Sequence, residues 1–309
     1  MVCKCDSGAS NTGFDCTNLG GQTRLSFLMN KTKKDGSPNG IDFATDATDG
    51  VIPASVIEAK INDPIPEDRW FPVGKFENVE DVRAEIVVQT FNSGNSAKIK
   101  DGIRTFSAVL IKMAPNYVET LESFGCQKDV AVMHVDLEGS LIGESLDGNF
   151  LRPIKIDSNT ISAILVKTSD TEVSYITFSY AYAQTTQDGN LSMITADGFG
   201  IDLTNVRGLL EGQIALANVQ ETSLVANVSV VYGNVINGGL KVEDLVLADF
   251  EILNLTQGST VTIDSINNAL AVNGTYTLNY SSGVAVSDEL SVGVNKTGYS
   301  FKNAKSGVV

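Results

Sequence analysis

Tyr175-Ile176-Thr177-Phe178-Ser179-Tyr180-Ala181-Tyr182 decides the fold class. Ile176, Phe178, Tyr180 and Tyr182 fall at every second position, with small or polar residues between them. That period belongs to a strand with one buried face. Working back from it, strands are expected at 129–137, 152–156 and 161–167. Phe106, Ala108 and Leu110 alternate with Ser107, Val109 and Ile111. Both sets are largely apolar, so this strand is expected to be buried on both faces. Ile86 and Val88 alternate with Val87 and Gln89, and the turn Asn92-Ser93-Gly94-Asn95 predicts a hairpin. Residues 23–29 form the first strand. Helices are fewer. Pro53–Ile61 reads as a short one. Pro115 with Val118, Leu121 and Phe124 at three-residue spacing predicts a helix over 115–124, ended by Gly125. Pro64, Pro66 and Pro72 fix an extended path around the single Trp70.

Three stretches lack a period. Residues 1–22 are rich in Gly, Ser, Asn, Asp and Cys and read as an N-terminal arm. Residues 30–50 form a long polar loop, expected to be an assembly contact. Residues 184–218 show no alternation, and Val206 to Leu216 suggests a short helix before a hinge at 217–222. Beyond it, short strands recur at 224–232, 245–253, 259–266, 275–280 and 289–294. The turn signals Asn237-Gly238-Gly239, Gln257-Gly258, Asn273-Gly274 and Ser282-Gly283 punctuate them. This spacing fits an Ig-like β-sandwich over 218–309. The fold class expected is therefore mainly β: an arm at 1–22, a β-sandwich or barrel with one flanking helix over 23–217, and the sandwich at 218–309.

The 309 residues are 42% hydrophobic and 19% charged, which excludes a disordered chain. Lys and Arg total 22 against 37 Asp and Glu, a net charge of −15, which excludes a general basic surface for nucleic acid. No run approaches the roughly 20 apolar residues of a membrane span. Met1 to Phe14 shows no hydrophobic signal region. One His and four Cys leave little for catalysis or metal binding. No catalytic residue, cofactor or metal is expected. Cys3, Cys5 and Cys16 cluster without His or a Cys-x-x-Cys pair, so reduced thiols on the arm are expected. Asp42, Asp46 and Asp49 before Gly50 miss the EF-hand spacing and read as turn residues. His134 reads as a packed strand residue, and Tyr276, Tyr280 and Tyr299 as packing aromatics rather than sugar platforms.

Several segments occur together in order: Cys-Asp-Ser-Gly-Ala-Ser-Asn-Thr-Gly at 5–13, Asn-Gly-Ile-Asp at 39–42 and Arg-Trp-Phe-Pro at 69–72. Asn-Val-Glu-Asp-Val-Arg at 78–83, Gly-Ile-Arg-Thr-Phe at 102–106, Met-Ile-Thr-Ala-Asp at 193–197 and Gly-Tyr-Ser-Phe at 298–301 complete the series. It resembles structural virion proteins of tailed phages that infect Bacteroidota, and within them a major tail tube protein. The resemblance implies stacked rings, commonly hexameric, around a channel that conducts DNA at ejection. It implies a virion tail location after assembly in the host cytoplasm.

The partners expected are the chain itself, other tail proteins and DNA in transit, with host surface glycans touched by an outward Ig-like domain. The assembly contacts expected are Cys3, Cys5, Cys16, Arg24, Asp42, Asp46, Trp70, Arg83 and Arg104, with Arg69 as a further interface arginine. The acidity then reads in two ways, as a channel lining that repels phosphates or as plain solubility. The alternative functions are another tail or head decoration, a fibre protein, or a carbohydrate-binding adhesin-like module.

Overall fold

The structure is a computed structural model that describes residues 21–111, 113, 115, 117–167, 173–231, 240–301 and 303–308. The chain divides between Gly208 and Leu209 into two compact units, ahead of the expected hinge at 217–222. Both are built mainly of antiparallel β-strands.

Strands of three or more residues in the first unit are β1 Thr23–Asn30, β2 Phe71–Gly74, β3 Phe76–Arg83, β4 Val87–Thr90, β5 Ser96–Lys100 and β6 Arg104–Ile111. They continue as β7 Val130–Asp136, β8 Leu141–Glu144, β9 Ile154–Val166, β10 Tyr175–Tyr182 and β11 Leu191–Ile194. The pairings run in a circle. β2 pairs with β1, β1 with β7, β7 with β9, β9 with β10, β10 with β6, and β6 with β3. Only Lys75 separates β2 from β3, so one bent segment closes the circle into a barrel. β8 and β11 extend from β7 outside it.

Alternation along these strands sorts side chains to two sides. Inside lie Leu28, Phe76, Phe106, Leu110, Val132, Ile176 and Phe178, with Leu121 and Phe124 added by the helix α2 Tyr117–Ser123 and the 3₁₀ turn after it. A second cluster lies on the other side of β1 and β7. There Phe27, Met29, Met133 and Val135 meet Ile57 and Ile61 of the helix α1 Ala54–Ile61. β7 is consequently buried along its whole length. The expectation of burial on both faces thus applies to β7. β6 buries Phe106, Ala108 and Leu110 and leaves the alternate positions half-exposed.

The expected strands at 152–156 and 161–167 are one strand, β9, with a register shift between Asp157 and Ser162. The loop 30–50 is not a free reach toward a neighbour. Ile41–Asp42 pairs with Phe150–Leu151, and Ile41 is buried in the second cluster.

The second unit contains β12 Leu210–Ala217, β13 Ser223–Val230, β14 Phe250–Asn254, β15 Ser259–Val261 and β16 Ser265–Asn267. It ends with β17 Thr275–Asn279, β18 Glu289–Val294, β19 Tyr299–Phe301 and β20 Ala304–Val308. One sheet runs β16-β17-β13-β12-β19 and the other β15-β14-β18-β20. Leu224, Val228, Tyr276 and Leu278 of the first sheet share one cluster with Ile252, Leu290 and Val292 of the second, so the sheets form a sandwich. β12 replaces the expected short helix over 206–216. Leu, Glu, Gln and Ala favour helix locally, but pairing with β13 overrides that preference. Gly212 admits the Phe301 ring, 2.1 Å from where a Cβ would stand. Gly258, Gly274 and Gly283, read as turn residues, all take positive φ. Tyr232 and the turn at Asn237 to Gly239 lie outside the described residues.

Candidate assembly surface

Beyond Arg83 and Arg104 a short join leads into the hairpin of β4 and β5, a two-stranded sheet of its own. The Ala84 amide donates to the Ile103 carbonyl at 2.9 Å, and Val87 stands opposite Lys100. Every residue of β4 and β5 is exposed. Ile99, Val87 and Val88 are among them, and Ile86 and Phe91 at the ends of β4 are exposed too, Ile99, Ile86 and Phe91 at 60%, 53% and 47%. An isolated two-stranded ribbon is marginal in water. Covering each of these side chains on another surface would contribute about 1–2 kcal/mol.

The root of the hairpin is fixed by charge. Arg83 and Arg104 are cross-strand partners, a pairing of like charges that repels unless it is neutralised. Asp188, in the 3₁₀ turn Asp188–Asn190, accepts from Arg83 Nε and Nη2 at 2.7 and 2.8 Å and from Arg104 Nη1 at 3.3 Å. Asp81 holds Arg104 in a two-point clasp at 2.6 and 2.8 Å. Arg83 also donates to the Gly102 and Thr186 carbonyls. Hydrogen bonding to Arg83 holds the Asp188 carboxyl below the usual carboxylate range. The bond to Asp188 raises the Arg83 guanidinium in turn. Burial opposes the charge of Arg104, but the bonds to Asp81 together with the charges of Asp81 and Asp188 and the Tyr182 hydroxyl outweigh it, and its pKa is raised.

A buried relay runs inward from Asp81. Tyr182 Oη donates to Asp81 Oδ2 at 3.1 Å. Its oxygen therefore accepts from His134 Nε2 at 2.7 Å, and His134 Nδ1 accepts from Ser26 Oγ at 2.8 Å. Phe106 stacks on the imidazole with centroids 5.0 Å apart, and the Arg104 guanidinium lies over the Tyr182 ring at 4.9 Å. Burial pushes His134 down to about 4, so it is neutral at pH 7. Burial likewise pushes both Tyr180 and Tyr182 well above the ordinary tyrosine range. Ser26 is fully buried, so this Ser-His pair offers no hydroxyl to a substrate.

The other residues expected at an interface lie as follows. Arg24 pairs with Glu77 of its own chain at 3.1 Å. Arg69 donates to the Asp63 and Pro64 carbonyls. Asp42 accepts from the Ala44 amide at 3.0 Å and caps a single helical turn. Asp46 accepts from the Asp42 amide and pairs with Lys60 at 3.2 Å. Trp70 is an interior anchor: its Nε1 donates to buried Asn39 at 2.9 Å, and its ring meets Phe27. Asp42, Asp46 and Trp70 thus tie the loop 30–50 to its own unit. Cys3, Cys5 and Cys16 lie outside the described residues.

Among the described residues no group of three or more His, Cys, Asp or Glu is placed to hold a metal ion. Tyr276 and Tyr280 are buried, and Tyr299 stacks on Phe301 at 5.7 Å. No helix among the described residues is long and apolar enough to cross a membrane. Sequence reading singled out Arg83 and Arg104 but missed Asp188 and the His134 relay. The pairing of β3 with β6, β6 with β10 and β1 with β7 brings these together.

The sequence matches no protein-family profile, and no curated protein is significantly similar to it.

Proposed function

We propose that this chain is a self-assembling structural subunit and not an enzyme. The observation that carries this is the exposed apolar hairpin on a charge-clamped root, a surface that a second protein must cover to be of use. The order of the motifs from 5 to 301 specifies the reading further, as a major tail tube protein of a tailed phage. In this reading rings stack, hexameric in the commonest case, into a conduit for DNA at ejection. Its location is the virion tail, and its partners are further copies, other tail proteins and DNA in passage.

The first unit supports this with a barrel that carries the helix α2 between β6 and β7 and a second helix, α1, against β1 and β7. The second unit is an Ig-like sandwich in this reading. Its first strand, β12, runs parallel to β19 near the chain's end, through Leu210 opposite Tyr299 and Gly212 opposite Phe301. Weak contact with host glycans through that unit, multiplied by copy number, completes the proposal.

Sedimentation velocity over a range of concentrations tests the self-assembly. Large, concentration-dependent species are expected from the wild type. Val88→Ser, Phe91→Ser and Ile99→Ser together should leave a folded monomer. A triple variant that assembles like the wild type would contradict the role of the hairpin.

A further inference from the structure

The barrel has an outer face that none of the three hydrophobic clusters covers. Its rows follow from the registers of β3, β6, β10 and β9. Ile111 stands beside Tyr175 and Val166; Val109 lies between Glu77 and Thr177, with Ile164 beyond; Ser107 lies between Glu80 and Ser179. The last row runs Val82, Thr105, Ala181 and Asp157. Val109, Ile111, Ile164, Val166 and Tyr175 belong to none of the clusters. The charged side chains in these rows are Glu77, Glu80 and Asp157, and all three are exposed.

The hairpin is the complement of this face. From Ile86 to Lys100 its only charged residues are Lys98 and Lys100, in a chain of net charge −15. Lys98 already meets Asp101, but both are exposed and such a pair is worth little. The hairpin joins β3 and β6 through the hydrogen bond from Ala84 to Ile103, and Gly102 at this root sits so close to Ala84 that a Cβ would lie 1.7 Å from the carbonyl oxygen.

We propose that the β4–β5 hairpin of one copy docks on the β3–β6–β10–β9 outer face of a second copy. Val88, Lys98 and Lys100 share one face of the ribbon, with Phe91 and Ile99 on the other. On the lysine face Val88 would cover the apolar rows, and Lys98 and Lys100 would meet Glu77, Glu80 and Asp157. Donor and acceptor are different surfaces, so the contact is head-to-tail and propagates into a ring or a filament. This rests on the self-assembly reading and names the surface that performs it.

Zero-length carbodiimide cross-linking of mixed ¹⁴N- and ¹⁵N-labelled full-length protein tests it, together with charge reversal. Cross-links from Lys98 or Lys100 to Glu77, Glu80 or Asp157 are expected between the two isotopes. Lys98→Glu with Lys100→Glu should weaken self-association about tenfold or more at low salt. Mixing that variant with Glu80→Lys, Asp157→Lys protein should restore association. All these positions are exposed, so the variants should melt with the wild type. Cross-links confined to one isotope, cross-links to Asp6 or Asp15 of the N-terminal segment instead, or association indifferent to charge reversal would overturn the docking and leave self-assembly standing. A wild-type chain that stays monomeric throughout would overturn both.

Discussion

Arg83 and Arg104 stand opposite one another across β3 and β6, and the carboxylate of Asp188 reaches both guanidinium groups. Two cations in cross-strand register would push the strands apart, and Asp188 converts that strain into a clamp. Asp188→Asn should therefore loosen the root. Its side chain is 52% exposed, so global stability should fall by less than about 1 kcal/mol. Backbone hydrogen exchange over 84–103 should accelerate markedly. Unchanged protection there would show that Asp188 is incidental.

Asp81 is a different case. Its pair with Arg104 is largely buried, at 19% and 18% side-chain exposure. Asp81→Asn replaces one of the two acceptor oxygens by an amide nitrogen and removes the charge, so Arg104 keeps at most one point of its clasp. Denaturant unfolding should show a loss of about 2–3 kcal/mol. A loss no greater than that of Asp188→Asn would contradict the buried network.

His134 makes stability depend on pH. Its folded pKa is about 4, against 6.5 for a free imidazole. Between these values the unfolded chain binds a proton that the native chain does not. Stability is therefore fully present above about pH 6.5 and is lost as pH falls toward 4, by about 3 kcal/mol for this group. Urea melts at pH 7 and pH 4.5 should differ in the wild type, and by less in His134→Gln. An equal pH dependence in the two proteins would remove His134 as the cause.

Trp70 and Asn39 should be coupled. Trp70→Phe leaves the buried Asn39 carbonyl unpaired and should cost about 2 kcal/mol. In a double-mutant cycle, Asn39→Ala should cost about 1 kcal/mol less on the Trp70→Phe background than on the wild type. Additive losses would mean that the 2.9 Å hydrogen bond carries no net stability.

How far the residues foretold this structure depends on the range of the interaction. Strands with one dominant neighbour sheet were legible. β10 reads from its own alternation, and the 92–95 turn announces the hairpin. Pro53 and Pro115 lie just ahead of α1 and α2. β6 was misjudged because Val109 and Ile111 suggest a covered face, and the described chain does not cover it. β12 was missed because its composition favours helix and its strand state comes from β13 and β19.

At the site, ion pairing by the arginines was readable as a charge preference, and Arg24, Arg83 and Arg104 pair with carboxylates of their own chain. The carboxylate shared by Arg83 and Arg104 was not, because Asp188 is 84 residues from Arg104. The loop 30–50 looked free because its anchors, Asn39 to Trp70 and Asp46 to Lys60, pair residues across the chain.

In the proposed function this subunit polymerises through its own surfaces into a tube. Negative-stain electron microscopy of the purified full-length protein tests it most directly. Stacked rings or tubes of constant diameter are the expected result, lost in the Lys98→Glu, Lys100→Glu variant. Monodisperse single particles at every concentration would contradict it.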